Sequence, residues 1–407
     1  MWSTTAAPRR GPQVRHRRRT GQDDASTPRT SGERTMPAEP SDTRATRPFR
    51  RHLEDAAMSR ALELAREDRL AASLGPRGGC VLLGADGTVL GEARTDRVAR
   101  VHATAQALAE AGHRAQGATA VVTLEPCCLG GDARATGPSP LPHGPCAQAL
   151  VDAGVRRVVV AHLDPDPGTS GGAALLRGAG VEVVAASAAA ADEALSLNRA
   201  WTFGVQAGRP LVTWVVEGGG SAGGPNPDLD RLRAQVDTLV VSTWAVLAHD
   251  VSLAALGPDG HPAARQPLRV VVGTRELDPG LPIFDGPGRT LHFATRDPAL
   301  TLAAIYDLGG RHVLLSGGTA LAAEFLRAGL VDEIISHVTP EWTSQGGVGA
   351  TDLGVGELPD TTRLVDVRLV DDDAGRPRMR VTLVPSSSPL VTTTGTGSRA
   401  AAEGPLR

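Results

Sequence analysis

The chain of 407 residues contains no lysine, so all 42 of its basic residues other than histidine are arginine. Every fixed cation is therefore a guanidinium, and any site that needs a lysine ammonium is excluded. Cysteine is scarce too. Four thiols, three of them between Cys127 and Cys146, are too few and too clustered for a disulfide scaffold in a chain of this size, and the clustering favours a metal site. No segment approaches eighteen uninterrupted apolar residues, and the first fifty residues hold no apolar signal-peptide core. The expectation is a cytoplasmic protein with no membrane partner. Residues 1–51 carry twelve arginines against five acids, including the run Arg17-Arg18-Arg19, but lack the interleaved aromatics and periodicity of a nucleic-acid-binding arm. That leader reads as a disordered tail without a nucleic-acid partner.

What is present has the rhythm of two α/β domains. Met58, Leu62 and Ala65 fall at helical spacing, and Cys80-Val81-Leu82-Leu83 reads as a buried strand. Asp86-Gly87 then signals a hairpin into Val89-Leu90-Gly91. A helix is expected from His102 to about Gly112, a strand over 120–124, and a helix from Cys146 to Asp152 closed by Gly154. Strands at 158–160 and 181–184 flank a short Ala/Leu helix. Past Gly208 the alternation resumes, with strands at 211–216, 238–242, 268–272, 312–316 and 334–338 and helices near 229–236, 299–308 and 320–328. The boundaries that follow are a leader (1–51), a first domain (52–197), a linker (198–208), a second domain (209–384) and a disordered Ser/Thr/Gly tail (385–407).

Chemistry concentrates in the first domain. His102-Ala103-Thr104 opens one predicted helix, and Glu125-Pro126-Cys127, followed by Pro145-Cys146, opens another after a strand. One histidine and two cysteines are the donor set with which zinc deaminases hold the ion that activates water against the amino-bearing carbon of a base. Taken singly, each thiol reads equally as a small buried hydrophobe and His102 as a capped helix residue; the ordered set favours the metal.

These stretches, together with Ala61-Leu62-Glu63-Leu64-Ala65, Gly79-Cys80-Val81, Gly144-Pro145-Cys146-Ala147, Val158-Val159-Val160-Ala161 and Asp164-Pro165, resemble the pyrimidine deaminase of riboflavin biosynthesis. The resemblance implies a three-layer, cytidine-deaminase-like fold and zinc held by His102, Cys127 and Cys146, with Cys128 and His143 as alternative ligands. The implied substrate is a small phosphoribosyl pyrimidine, and further copies of the chain are possible partners. One departure bears on activity: the family's proton-shuttling glutamate, two residues after the zinc histidine, is here Thr104. The segment that holds substrate in the family is here Gly75-Pro76-Arg77-Gly78-Gly79-Cys80, without its asparagine. Eighteen residues separate Cys127 from Cys146, more than the family uses.

Residues 209–384 resemble the NADPH-dependent, dihydrofolate-reductase-like domain that follows in the same bifunctional family. The resemblance runs through Arg209-Pro210, Leu232-Arg233-Ala234, Gln266-Pro267-Leu268-Arg269 and Gly317-Gly318-Thr319-Ala320-Leu321. It assigns substrate or cofactor contacts to Asp250 and to Gly317, Gly318 and Thr319, whose backbone N–H groups suit a phosphate. The family's lysine on the first strand is replaced by an apolar residue and the glutamate before Gly317 by Ser316, so NADPH is expected to bind weakly or not at all. Three functions follow as candidates: a working deaminase–reductase, a zinc-retaining pseudoenzyme or scaffold, and an enzyme of a secondary heterocycle pathway.

Overall fold

The computed structural model describes residues 46–67, 75–97, 99–128, 145–217, 227–249, 253–257, 260–285, 287–316, 319–338, 362–371 and 377–390. Helix α1 (Thr46–Glu67) comes first, starting inside the stretch expected as leader. Strands β1 (Gly79–Leu83) and β2 (Val89–Arg94) form the expected hairpin. Asp86 Oδ1 accepts the Thr88 N–H at 3.0 Å, and Gly87 takes φ +85°, a left-handed turn conformation that glycine adopts without strain. Helix α2 (Ala103–Ala111) and a short 3₁₀ turn lead to β3 (Thr119–Leu124). Then follow α3 (Cys146–Asp152), β4 (Arg157–His162), α4 (Gly172–Gly178), β5 (Glu182–Ala185), α5 (Ala188–Leu197) and α6 (Arg199–Ala207).

The five strands run in the order β2-β1-β3-β4-β5, antiparallel up to β3 and parallel beyond it. Alternation along the strands splits the core between two faces. Cys80, Leu82, Ala120, Val122, Val158 and Val160 pack beneath α2, α3 and α4, whereas Val81, Leu83, Val121 and Val159 pack against α1 and α5. This is the expected three-layer arrangement.

The segment 198–208, expected as a linker, is helix α6 with Trp201 and Phe203 buried. Its side chains join the two halves of the chain. Arg199 Nη1 lies 2.9 Å from Glu333 Oε1, and the Arg209 guanidinium lies 5.0 Å from the centre of the Phe203 ring.

The second sheet is built from β6 (Leu211–Glu217), α7 (Pro227–Gln235), β7 (Thr238–Ser242), α8 (Thr243–His249), β8 (Leu268–Val272), β9 (Thr290–Phe293), α9 (Pro298–Asp307), β10 (His312–Leu315), α10 (Thr319–Arg327), β11 (Glu333–Val338), β12 (Thr362–Asp371) and β13 (Pro377–Pro385). Its order is β12-β13-β11-β6-β10-β7-β8-β9, parallel from β11 to β9, with the antiparallel pair β12–β13 added at one edge. Val212, Trp214, Val270 and Leu315 pack with α9 and α10 on one face; Leu239, Val241 and Val271 face α7 and α8 on the other. Strands β9, β12 and β13 and helices α5 and α8 extend the sequence expectation. No helix among the described residues is long and apolar enough to cross a membrane.

Candidate metal centre and pocket

His102, Cys127 and Cys146 converge at the floor of a pocket of about 220 Å³. Each arrives by a separate structural device. His102 is the residue from which α2 starts, in extended conformation (φ −73°, ψ 149°), and Cys146 is the first residue of α3. Cys127 sits just beyond the C-terminal end of β3, where its carbonyl accepts the Ala147 N–H at 3.0 Å. Gly172 explains why that loop can sit so low: a Cβ there would come within 1.7 Å of the Pro126 carbonyl oxygen.

His102 Nδ1 lies 3.3 Å from Cys146 Sγ and 3.4 Å from Cys127 Sγ, and the three ligand atoms all fall within 4.8 Å of one another. A tetrahedral ion with zinc-like bonds to sulfur and nitrogen has an S···N edge of about 3.5 Å. The donor chemistry and spacing therefore fit zinc. The Cys146 N–H points at Cys127 Sγ from 3.4 Å, adding a backbone donor to a would-be thiolate. The bond from Cys146, against the effect of burial, and then that from His102 pull Cys127 well below a normal thiol, while the bond to Cys127 and burial push Cys146 up. The hydrogen bond to Cys127 raises the His102 imidazole, with burial opposing.

Of the alternative ligands, Cys128 is turned away, its Sγ 2.6 Å from the Ser170 carbonyl oxygen and outside the cluster. His143 lies outside the described residues. Thr104 is buried and lines the pocket, and it neighbours the Cys80 thiol, whose pKa burial pushes up to about 12 while Thr104 acts in the opposite sense. Glu110 is far along α2, where its carboxylate accepts the Glu92 N–H at 2.9 Å.

The pocket wall holds residues to which the sequence assigned no role in the site. Arg97 and Arg100 give it two guanidiniums, Asp164, Asp166 and Thr169 come from the loop after β4, and Trp201 reaches in from α6. Arg97 is buried and donates to the Gly75 carbonyl at 2.9 Å, holding the segment that carries the lost asparagine position. Asn198 clamps the same segment, accepting the Arg77 N–H at 2.7 Å and donating to its carbonyl at 2.9 Å. Trp201 escaped notice because a helix was taken for a linker; its aromatic character next to a domain boundary was the available signal.

In the second domain, Asp250, Gly317 and Gly318 lie outside the described residues, and Thr319 is the first residue of α10. The end of β10 and the start of α10 thus flank the expected Gly-Gly turn, at the carboxyl end of a parallel strand where open α/β sheets bind ligands.

A zinc-deaminase fold joined to a reductase-like α/β domain is the class these features define. The family model described as "Cytidine and deoxycytidylate deaminase zinc-binding region" matches residues 51–162, and "RibD C-terminal domain" matches residues 212–374. Riboflavin biosynthesis protein RibD of Mycobacterium tuberculosis is 34% identical over 323 residues, 76% of this chain and 91% of that protein. The Escherichia coli protein of the same name is 30% identical over 361 residues, 76% of this chain and 92% of its own length. Among solved structures, Acinetobacter baumannii RibD superposes with a TM-score of 0.64 at 27% identity, covering 83% of this chain and 99% of that one. A Thermotoga maritima diaminohydroxyphosphoribosylaminopyrimidine deaminase/5-amino-6-(5-phosphoribosylamino)uracil reductase shares the fold, with a TM-score of 0.67 at 22% identity over 83% of this chain and 99% of its own. The chain belongs to the RibD family of riboflavin biosynthesis proteins.

Proposed function

We propose that the chain is a zinc-dependent deaminase of the phosphoribosyl diaminopyrimidine of riboflavin biosynthesis, joined to an NADPH-dependent reductase of the deaminated product, and that its deamination step is slow. The observation that carries the first half is the His102–Cys127–Cys146 triangle at the base of a closed-in pocket. Zinc bound there supplies Lewis acidity that makes water a nucleophile near neutral pH. His102, Cys127 and Cys146 are the residues that hold it. Trp201 offers an aromatic wall to a planar ring, and Arg97 and Arg100 put two guanidiniums in the lining, beside its three carboxylates, for a phosphorylated substrate to meet. Glu125 braces the floor: its two carboxylate oxygens accept the Ala173 N–H at 2.7 Å and the Asp164 N–H at 3.0 Å.

The slow step follows from Thr104. A threonine hydroxyl neither takes nor gives a proton near pH 7, and loss of a positioned acid–base group costs about 10²–10⁴-fold. The same residue favours a second reading, a scaffold that keeps zinc without turnover. The deciding experiment assays the purified protein on the diaminopyrimidine with and without NADPH. Ammonia release, followed by NADPH oxidation, supports the enzyme; one zinc per chain with neither product supports the scaffold.

A further inference from the structure

The loop after β4 brings into the pocket a carboxylate to which the reading above gives no role. Hydrolytic deamination moves two protons, one from water to a ring nitrogen and one to the departing amino nitrogen. Zinc deaminases of the His-x-Glu type use the glutamate for both, and Thr104 offers neither. Among the described residues three carboxylates line the pocket: Glu125, Asp164 and Asp166. Glu125 has both oxygens taken by backbone N–H groups, from Ala173 and from Asp164, and no hydroxyl on it that could pass a proton into the pocket. Asp166 closes its own turn, Oδ1 accepting the Gly168 N–H at 2.9 Å.

Asp164 is differently placed. It lies two residues past β4, and Leu124 is in register with His162 on these neighbouring parallel strands, so Asp164 stands at the carboxyl end of the sheet beside the Cys127 loop. Its Oδ2 accepts the hydroxyl of Thr169 at 2.7 Å, and Thr169 itself lines the pocket. Its Oδ1 accepts the Asp166 N–H at 2.9 Å, which fixes the carboxylate plane and leaves each oxygen a further lone pair. Burial pushes the Asp164 carboxyl above the ordinary range.

We propose that Asp164, with the Thr169 hydroxyl bonded to it, carries the protons that Thr104 cannot, and is a catalytic residue of the deamination in this chain. The inference rests on the deaminase reading. As the water oxygen bonds to the amino-bearing carbon, Asp164 takes one water proton and hands it to the adjacent ring nitrogen. The proton of the new hydroxyl then passes by the same carboxylate to the amino nitrogen. The C–N bond breaks, ammonia leaves, the ring keeps a carbonyl, and Asp164 returns to its starting state.

A double-substitution cycle on the full-length zinc protein tests this, with melting temperature and zinc content read first. In the natural background, Asp164→Asn or Asp164→Ala is expected to lower the rate of ammonia release from the diaminopyrimidine by at least about 10²-fold. In the Thr104→Glu background the same change is expected to cost less than about fivefold, because the glutamate resumes both transfers. Added formate, a small diffusible carboxylate, is expected to restore part of the rate to Asp164→Ala. Equal losses in both backgrounds would assign Asp164 to binding and overturn the proposal, as would loss of fold in both variants, which would make it a scaffold residue. Ammonia release by Thr104→Glu but not by the natural protein overturns this inference alone. Its absence from both overturns the deaminase reading as well.

Discussion

Thr104, buried in the first turn of α2, neighbours the thiol of Cys80 on the buried face of β1, whose pKa burial raises and Thr104 lowers to a smaller extent. A side chain meant to move protons is thereby held as a piece of core. Replacing it with glutamate is expected to raise the deamination rate by a factor of at least about ten, toward the 10²-fold or greater deficit that its absence causes. Recovery stays incomplete because Gly75 lacks the amide of the family's asparagine. Zinc content should not change, since the glutamate is not a ligand. A natural protein that already turns over as fast as a glutamate-bearing relative would contradict this account.

Removal of a metal donor has a different signature. Cys146→Ala deletes a thiolate and leaves His102 and Cys127 as an incomplete pair. Elemental analysis of protein purified without chelator should fall from near one zinc per chain to a small fraction. The melting temperature should fall with it, because binding energy at a closed site is also folding energy. Cys128→Ala is the control: its thiol faces the Ser170 carbonyl, and its zinc content should match that of the natural chain.

Most of the first domain was legible because β3 and β4 are rich in β-branched residues, because β1 is an unbroken apolar run after Gly79, and because Asp86-Gly87 leaves little choice of turn. The metal triangle was legible from order alone. Distance was not: only the fold turns Cys127 inward and Cys128 outward, since neighbouring residues at the end of a strand carry no periodicity that says which faces the pocket. Helix α6 was missed because Asn198 and Gly208 read as loop ends, although Trp201, Thr202, Phe203 and Gly204 between them are buried. The edge strand β12 was missed for the opposite reason: Leu364, Val367 and Leu369 remain exposed, so burial gives it no alternating pattern.

The reductase-like domain should bind NADPH weakly. With no lysine anywhere in the chain, the cofactor's phosphates must be met by arginine or by backbone N–H groups such as those at the start of α10. Calorimetric titration should give a dissociation constant well above the low micromolar range. A tighter value would show that the guanidiniums compensate for the missing ammonium.

At the junction of α6 and β6, Arg209 grips the fully buried Asp332 with two bonds, Nη1 to Oδ2 at 2.6 Å and Nη2 to Oδ1 at 2.7 Å. The same carboxylate accepts the Val212 N–H at 2.9 Å and the Ser388 hydroxyl at 3.1 Å, so one acid ties the start of β6, the start of β11 and the segment after β13. Arg209→Ala leaves that charge buried with only neutral donors. Chemical denaturation should show a loss of about 3–5 kcal/mol.

Acid should weaken the second domain before its carboxylates titrate, and His312 supplies the reason. Its ring bonds to the Thr213 hydroxyl at 2.9 Å between β10 and β6, and desolvation drives its pKa down to about 4 despite the nearby carboxylates of Glu333 and Asp237. An unfolded histidine protonates near pH 6.5, so between there and pH 4 the unfolded chain takes up a proton that the folded chain refuses. Stability is therefore full above pH 6.5 and lost as pH falls through that window, by roughly 2–3 kcal/mol from this residue. Glu333 acts lower down. Burial would raise its pKa, but the charge and hydrogen bond of Arg199 hold it below the ordinary carboxylate range, so its contribution is present above its unfolded pKa and lost only as pH falls past it. Urea unfolding of the natural protein and of His312→Gln at pH 7.5 and pH 5 separates the two. The natural protein should lose more stability between these pH values than the glutamine variant, which has no proton to gain; equal losses would show that His312 titrates normally in the folded chain.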